Sequence, residues 1–142
     1  MTLLDAPQFN ERRDRIRRNI VIAGIVIILL AVGGFAYWPR YIARRTVDQF
    51  MNSLIDKNFQ EAYAIWQANP RLYPMDTFMQ DWGPGSKWGI IKTYKIVQLG
   101  PPQGGHSSGL VALVEVNGIA NTDSYARIWI QNGTHELSFY QF

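Results

Sequence analysis

The chain contains no cysteine and only two histidines, His106 and His135. Without thiols there is no disulfide framework, no thiolate nucleophile and no Cys-ligated zinc or iron–sulfur centre. Two isolated histidines fall short of the three or four ligands that a zinc site usually draws, so no metal and no cofactor is expected. The glycines form neither a phosphate loop nor a dinucleotide fingerprint, and no serine sits in a nucleophile elbow. Net charge is also missing where most of the chain lies. Over residues 41–142 eight bases meet eight acids, so the sequence pI of about 9.3 belongs to the N-terminal part. A neutral domain lacks the basic stripe of a nucleic-acid binder, and no nucleic-acid partner is expected.

The most conspicuous absence marks the most informative stretch. Between Arg18 and Arg40 there is no charged residue. Ile20–Trp38 is 19 residues of almost wholly apolar sequence, and as a helix it spans roughly 28 Å, close to the hydrocarbon thickness of a bilayer. Arg12, Arg13, Arg15, Arg17 and Arg18 crowd its N-terminal flank. Tyr37 and Trp38 close the run as an interfacial aromatic belt, and Arg40 follows. The apolar region exceeds that of a cleavable signal peptide, and no small-x-small site precedes Tyr37, so an uncleaved signal anchor is the expectation. Five arginines before the span outnumber Arg40, Arg44 and Arg45 after it. The positive-inside rule then places the N-terminus in the cytoplasm and the C-terminal domain outside an inner (cytoplasmic) membrane.

This organises the chain as a basic cytoplasmic tail (1–19), one transmembrane helix (20–38) and an outer domain (40–142). The first partner implied is the lipid bilayer itself, through the arginines. Within the span, Gly24, Ala31 and Gly34 fall near one helix face and leave room for a neighbouring helix to pack closely. The span holds no Asp, Glu, His or Lys, so it carries no side chain for a proton relay or an ion path.

Pro39 is expected to break the helix. An amphipathic pattern then begins: Val47, Phe50, Met51, Leu54 and Ile55 recur at helical spacing, predicting a helix over about 41–57. Arg44 and Asp48 are an i,i+4 pair on its outer side. Asn58 followed by Glu61 has capping-box spacing. The helix it opens, with Phe59, Ala62, Tyr63 and Trp66 inward, should run to Asn69-Pro70. Met75, Phe78, Met79 and Trp82 predict a third helix ending at Gly83-Pro84. Beyond Trp88 the period becomes two. Strands are expected over 88–98, 109–116, 125–131 and 135–142, with tight turns at Asn117-Gly118 and Asn132-Gly133. Asn132-Gly133-Thr134 also matches a glycosylation acceptor, which the turn explains equally well. Three helices on one face of a four-stranded antiparallel meander make an α+β fold.

The run VDQFMNSLIDKNFQEAYAIW (47–66) places Phe50 and Leu54 inward, breaks at Asp56-Lys57-Asn58 and resumes with Ala62-Tyr63 on a second helix. In this, and in its order of elements over roughly 41–142, the domain resembles nuclear-transport-factor-two-like domains, the superfamily of ketosteroid isomerase and SnoaL-like cyclases. The resemblance implies a curved sheet wrapped by helices into a cone, often with a pocket, and partner binding or dimerisation through the sheet. A cystatin-like helix-on-sheet fold is the alternative. Isomerase chemistry needs a carboxylate in an apolar pocket with a tyrosine or a protonated acid opposite. Glu115, inside an apolar strand, and Tyr94 are the candidates. The competing reading of Glu115 is an edge-of-sheet residue paired with Lys92 or Arg127. Asp76 and Asp81 read as capping or exposed. Trp82 lies on the core face of its helix, and Trp88 follows a Gly-rich loop that would expose it. Both are candidate partner contacts, with core packing as the default reading.

The expectation from sequence is therefore a non-enzymatic, single-pass membrane protein. Its span and outer domain would bind other membrane-protein subunits, as an accessory or assembly component of a respiratory, photosynthetic or secretion complex. The alternative is a membrane-tethered small-molecule binder or isomerase-like enzyme with a pocket at Glu115 and Tyr94.

Overall fold

A computed structural model describes residues 11–66, 69–102, 108–118 and 125–140. The chain divides into two compact units, with the boundary in sequence between Trp38 and Pro39. Helix α1 is Glu11–Ile55, and Pro39 lies inside it. The expected break at Pro39 does not occur. Proline removes the hydrogen bond to the carbonyl four residues back, but its fixed φ of about −65° is a helical value, and the helix resumes on the far side. The helix is long and apolar enough, by length and composition, to cross a membrane. The large side chains of Ile20–Trp38 are exposed throughout, Leu30 at 70% and Phe35 at 85%.

In the second unit α1 presents Ala43, Val47, Phe50, Met51 and Leu54 to the core. It ends in a left-handed residue, Lys57 (φ 58°). The Asn58 N–H donates to the Ser53 carbonyl at 2.8 Å and the Lys57 N–H to the Leu54 carbonyl at 3.2 Å, the paired bonds of a Schellman cap. Asn58 then caps α2 (Phe59–Trp66). Its Oδ1 accepts from the Glu61 N–H at 3.3 Å, and its Nδ2 donates to the Glu61 carboxylate at 2.7 Å. Helix α2 is described to Trp66, residues 67–68 lie outside the described part, and Asn69, at the predicted stop, is not helical. Helix α3 is Met75–Trp82, closed where expected by Gly83, whose N–H donates to the Met79 carbonyl. A Cβ on Gly83 would collide with that carbonyl oxygen.

Strands β1 (Tyr94–Gly100), β2 (Gly109–Val116), β3 (Ala126–Gln131) and β4 (Leu137–Phe139) pair antiparallel in the order β1-β2-β3-β4. This is the predicted meander, and the domain is α+β. Register decides which face is buried. Leu110, Ala112, Val114 and Val116 of β2 join Ala126, Ile128 and Ile130 of β3 and Leu137 of β4 in the core. Phe50 is the hub where helices and sheet meet. Its ring lies 5.0 Å from those of Trp66 and Trp82, and Phe139 of β4 stacks on Trp82 at 5.5 Å with the planes 5° apart. Such pairs contribute about 0.5–1.5 kcal/mol each beyond area burial.

Two expectations about strands are corrected. Residues 88–93 are not strand, and β1 begins at Tyr94. Asn117 satisfies that segment instead: its Oδ1 accepts from the N–H groups of Lys92 (2.8 Å) and Thr93 (3.4 Å), and its Nδ2 donates to the carbonyls of Trp88 (3.2 Å) and Ile90 (3.0 Å). The β3–β4 connection is also longer than a two-residue turn. The Gln131 N–H donates to the Glu136 carbonyl, and the His135 N–H returns to the Gln131 carbonyl, both at 3.0 Å. Asn132–His135 is thus a four-residue loop with positive φ at Gly133 and His135, and β4 is correspondingly short.

Candidate functional site

The first candidate surface is α1 itself. Arg12, Arg13, Arg15, Arg17 and Arg18 are all exposed on the turns before the apolar run. Tyr37 (69%) and Trp38 (64%) are exposed at its other end, with Arg40. A Cβ built on Gly24 or Gly34 meets nothing within 4 Å, and Ala31 is exposed beside them. The small-residue face is open.

Trp82 is in the core, as its helical spacing predicts, and Trp88 joins it there instead of being exposed by its loop. Trp82 is 1% exposed and Trp88 7%, so Trp88 does not stand out of its loop. The turn Gly83–Gly89, with hydrogen bonds from Ser86 N to Gly83 O (3.0 Å) and from Gly89 N to Ser86 O (2.9 Å), folds Trp88 back. Its ring stacks on Trp82, centroids 6.4 Å apart and planes 19° apart. Lys87 places its ammonium 4.4 Å from the Trp88 ring centroid. Both rings bring a polar handle into the interior without a matching acceptor. Trp82 Nε1, Ser86 Oγ and Trp88 Nε1 are buried and make no hydrogen bond. An unmade bond of this kind costs about 1–3 kcal/mol. Among the described residues these are the buried side-chain polar atoms in that state, and all three fall between Trp82, the end of α3, and Trp88 in the turn after it.

An open cleft of about 700 Å³ lies beside this turn, lined by Gln80 and Asp81 of α3, by Lys87 and Trp88, and by Tyr125, Arg127, Phe139 and Tyr140 from the sheet end. Asp81 is neither a cap nor exposed. It is half-buried, and its Oδ2 accepts from the Tyr73 hydroxyl at 2.6 Å. Burial, and then the bond to Asp81, push the Tyr73 phenol far above its ordinary value. The Tyr63 hydroxyl in turn donates to the Tyr73 carbonyl at 2.7 Å, fixing the loop that carries Tyr73. The only sequence signal for this arrangement is the recurrence of tyrosine and aspartate around α3, which has no period of its own.

The pair Glu115 and Tyr94 is not brought together. In β1–β2, Tyr94 opposes Val116 and Lys95 opposes Glu115. Neighbouring positions point to opposite faces, so Tyr94 packs on the core side and Glu115 faces away. Glu115 is also not at an edge. Strand β2 is interior, and the residue across from Glu115 is Lys95 rather than Lys92 or Arg127. The Tyr94 hydroxyl donates to Asp48 Oδ1 at 2.8 Å and ties β1 to α1, while Arg44 approaches the other Asp48 oxygen at 4.0 Å. Burial, and then the Asp48 bond, push the Tyr94 phenol up to about 12. Asp76 is exposed. His135 sits in the β3–β4 loop, and His106 lies outside the described residues. Among those residues no three His, Asp or Glu side chains gather as a metal site would require.

Comparison with known proteins finds no protein-family model, no curated protein and no solved structure that matches the chain.

Proposed function

We propose that this protein is a single-pass membrane anchor carrying a small α+β domain that binds other proteins, as an accessory or assembly subunit of a larger complex of the inner membrane. The carrying observation is the run of exposed Ile, Val, Leu and Phe along α1 between Arg18 and Arg40. In water such a surface is untenable, since contiguous apolar patches of that size mark membrane or protein contact. Arginines on one flank and Tyr37-Trp38 on the other support insertion with the N-terminus in the cytoplasm. The open face at Gly24, Ala31 and Gly34 supports a helix–helix contact within the bilayer. The domain is read as nuclear-transport-factor-two-like on the residues of 47–66, supported by helices packed on one face of an antiparallel sheet. An isomerase role loses its candidate pair, because Tyr94 and Glu115 lie on opposite faces of that sheet.

The test is extraction of the tagged full chain from its native membrane. The chain should resist alkaline carbonate, and in mild detergent it should migrate on native gels with an assembly much larger than itself. A reporter fused after Phe142 should be active outside the cytoplasm. Release by carbonate would remove the anchor, and migration as a free monomer would remove the complex.

A further inference from the structure

We propose that the cleft beside α3 is a carboxylate-binding site, with Lys87 supplying the charge, Trp88 Nε1 the buried donor, and the rings of Trp88, Tyr125 and Phe139 the walls for the apolar group that bears the carboxylate. The cleft is open and holds about 700 Å³, room for a drug-sized ligand or the end of a peptide. Trp88 lines it while 7% exposed, with an N–H that no acceptor among the described residues meets. Ser86, in the same turn, has its buried hydroxyl in the same condition. Buried donors are nearly always matched, so a turn that leaves several unmatched is built around an acceptor from elsewhere.

The charge selects which acceptor. Lys87 holds its ammonium 4.4 Å from the centroid of the ring that carries the unmatched N–H, so the cation lies against the same indole as the donor. Arg127 also lines the cleft, engaged in interactions of its own, and the proposal rests on Lys87 and Trp88. Asp81 is the single acid of the lining, and its Oδ2 already accepts from Tyr73. One ammonium from Lys87 matches a monoanion, and a doubly charged phosphate would meet stronger repulsion from Asp81. A charge-assisted bond to a carboxylate is roughly twice as strong as a neutral one. Aromatic walls favour an apolar, flat group next to that carboxylate. Such a carboxylate belongs either to a free aryl acid or to the C-terminus of a partner's peptide. The site depends on neither the anchor nor the complex proposed above.

The experiment uses the full chain in dodecyl maltoside with 15N-labelled indoles. Five tryptophans give five Nε1–H signals, and Trp88→Phe identifies the one that matters. Phenylacetate should move the Trp88 signal, and phenylacetamide, its neutral isostere, should bind at least about tenfold more weakly. Lys87→Gln should weaken phenylacetate at least about fivefold while the other four indole signals stay in place, and Lys87→Arg should retain binding. The peptide arm compares acetyl-alanyl-alanyl-phenylalanine with its C-terminal amide. Tighter binding of the peptide acid than of phenylacetate would assign the site to a partner's chain end, and the reverse order to a free acid. The proposal is overturned if neither acid moves the Trp88 signal, if acid and amide bind alike, or if Lys87→Gln changes nothing.

Discussion

Asn117 shows how much one side chain holds. It sits at φ 55° before Gly118 at φ 70°, a pair of left-handed residues that Asn-Gly adopts at little cost. From there its amide makes four hydrogen bonds to the backbone of Trp88–Thr93. Asn117→Ala removes the clamp and strains the left-handed position, and should destabilise the domain by about 2–3 kcal/mol in urea unfolding. Asn117→Gly keeps the backbone but loses the clamp, so it should recover part of that loss. Equal stability of all three proteins would show that the clamp contributes nothing. Tyr94 gives a pH dependence. Its folded pKa is raised from 10.0 to about 12 by burial and by the bond to Asp48. The unfolded phenol therefore ionises first, and the stabilisation, complete below pH 10, is lost as pH rises through 12. Tyr73, shifted in the same direction, adds to the loss. Tyr94→Phe should flatten the fall in thermal midpoint above pH 10, and an unchanged slope would assign that fall to other groups.

At the scale of elements, α1 does two jobs with one backbone. Its first half exposes apolar side chains on every face, whereas its second half buries a single stripe from Ala43 to Leu54. Hydrocarbon tails are as apolar as leucine, so the first half gains from a neighbouring helix only by close packing. Replacing Gly24 and Ala31 by Leu fills the seam without hindering insertion, since Leu favours the membrane. This double change should weaken co-migration with the complex severalfold on native gels. Ile22 and Val26 to Leu, on the opposite face, should be silent. If both pairs leave the complex intact, the helix is a tether and the domain carries the association alone.

For the whole molecule, the unit from Pro39 onward holds the entire aromatic cluster and all four strands. Its core side chains come from all three helices and the sheet, with Phe50 touching the rings of Trp66, Phe78 and Trp82. Residues 39–142 expressed alone should therefore fold as a water-soluble α+β domain with a cooperative melt. Circular dichroism of almost pure helix, or of a disordered chain, would refute this. Phe50→Ala should cost it about 3–5 kcal/mol, because the cavity opens where helices and sheet meet.

Composition and local period were enough for much of this architecture. A charge-free run flanked by arginines is apolar whatever the fold around it, so the candidate span was legible from residue types alone. The capping box at Asn58, the stop at Gly83, the extent of β2 and the switch from helical to alternating pattern all depend on neighbours a few positions away, and these the sequence carries openly. What it did not carry were matters of long-range pairing. Pro39 reads as a breaker locally, yet the helix continues through it. Trp88–Thr93 has strand composition, but Asn117, more than twenty positions later, takes its backbone bonds. Glu115 and Tyr94 are each plausible in a pocket, and only the β1–β2 register sends them to opposite faces. The unmatched donors of Trp82, Ser86 and Trp88, and the cleft that Lys87 shares with Phe139, exist only once the turn after α3 folds back toward the end of the sheet. A hydrogen bond or a cleft between distant residues is a property of tertiary geometry, and no local pattern encodes it.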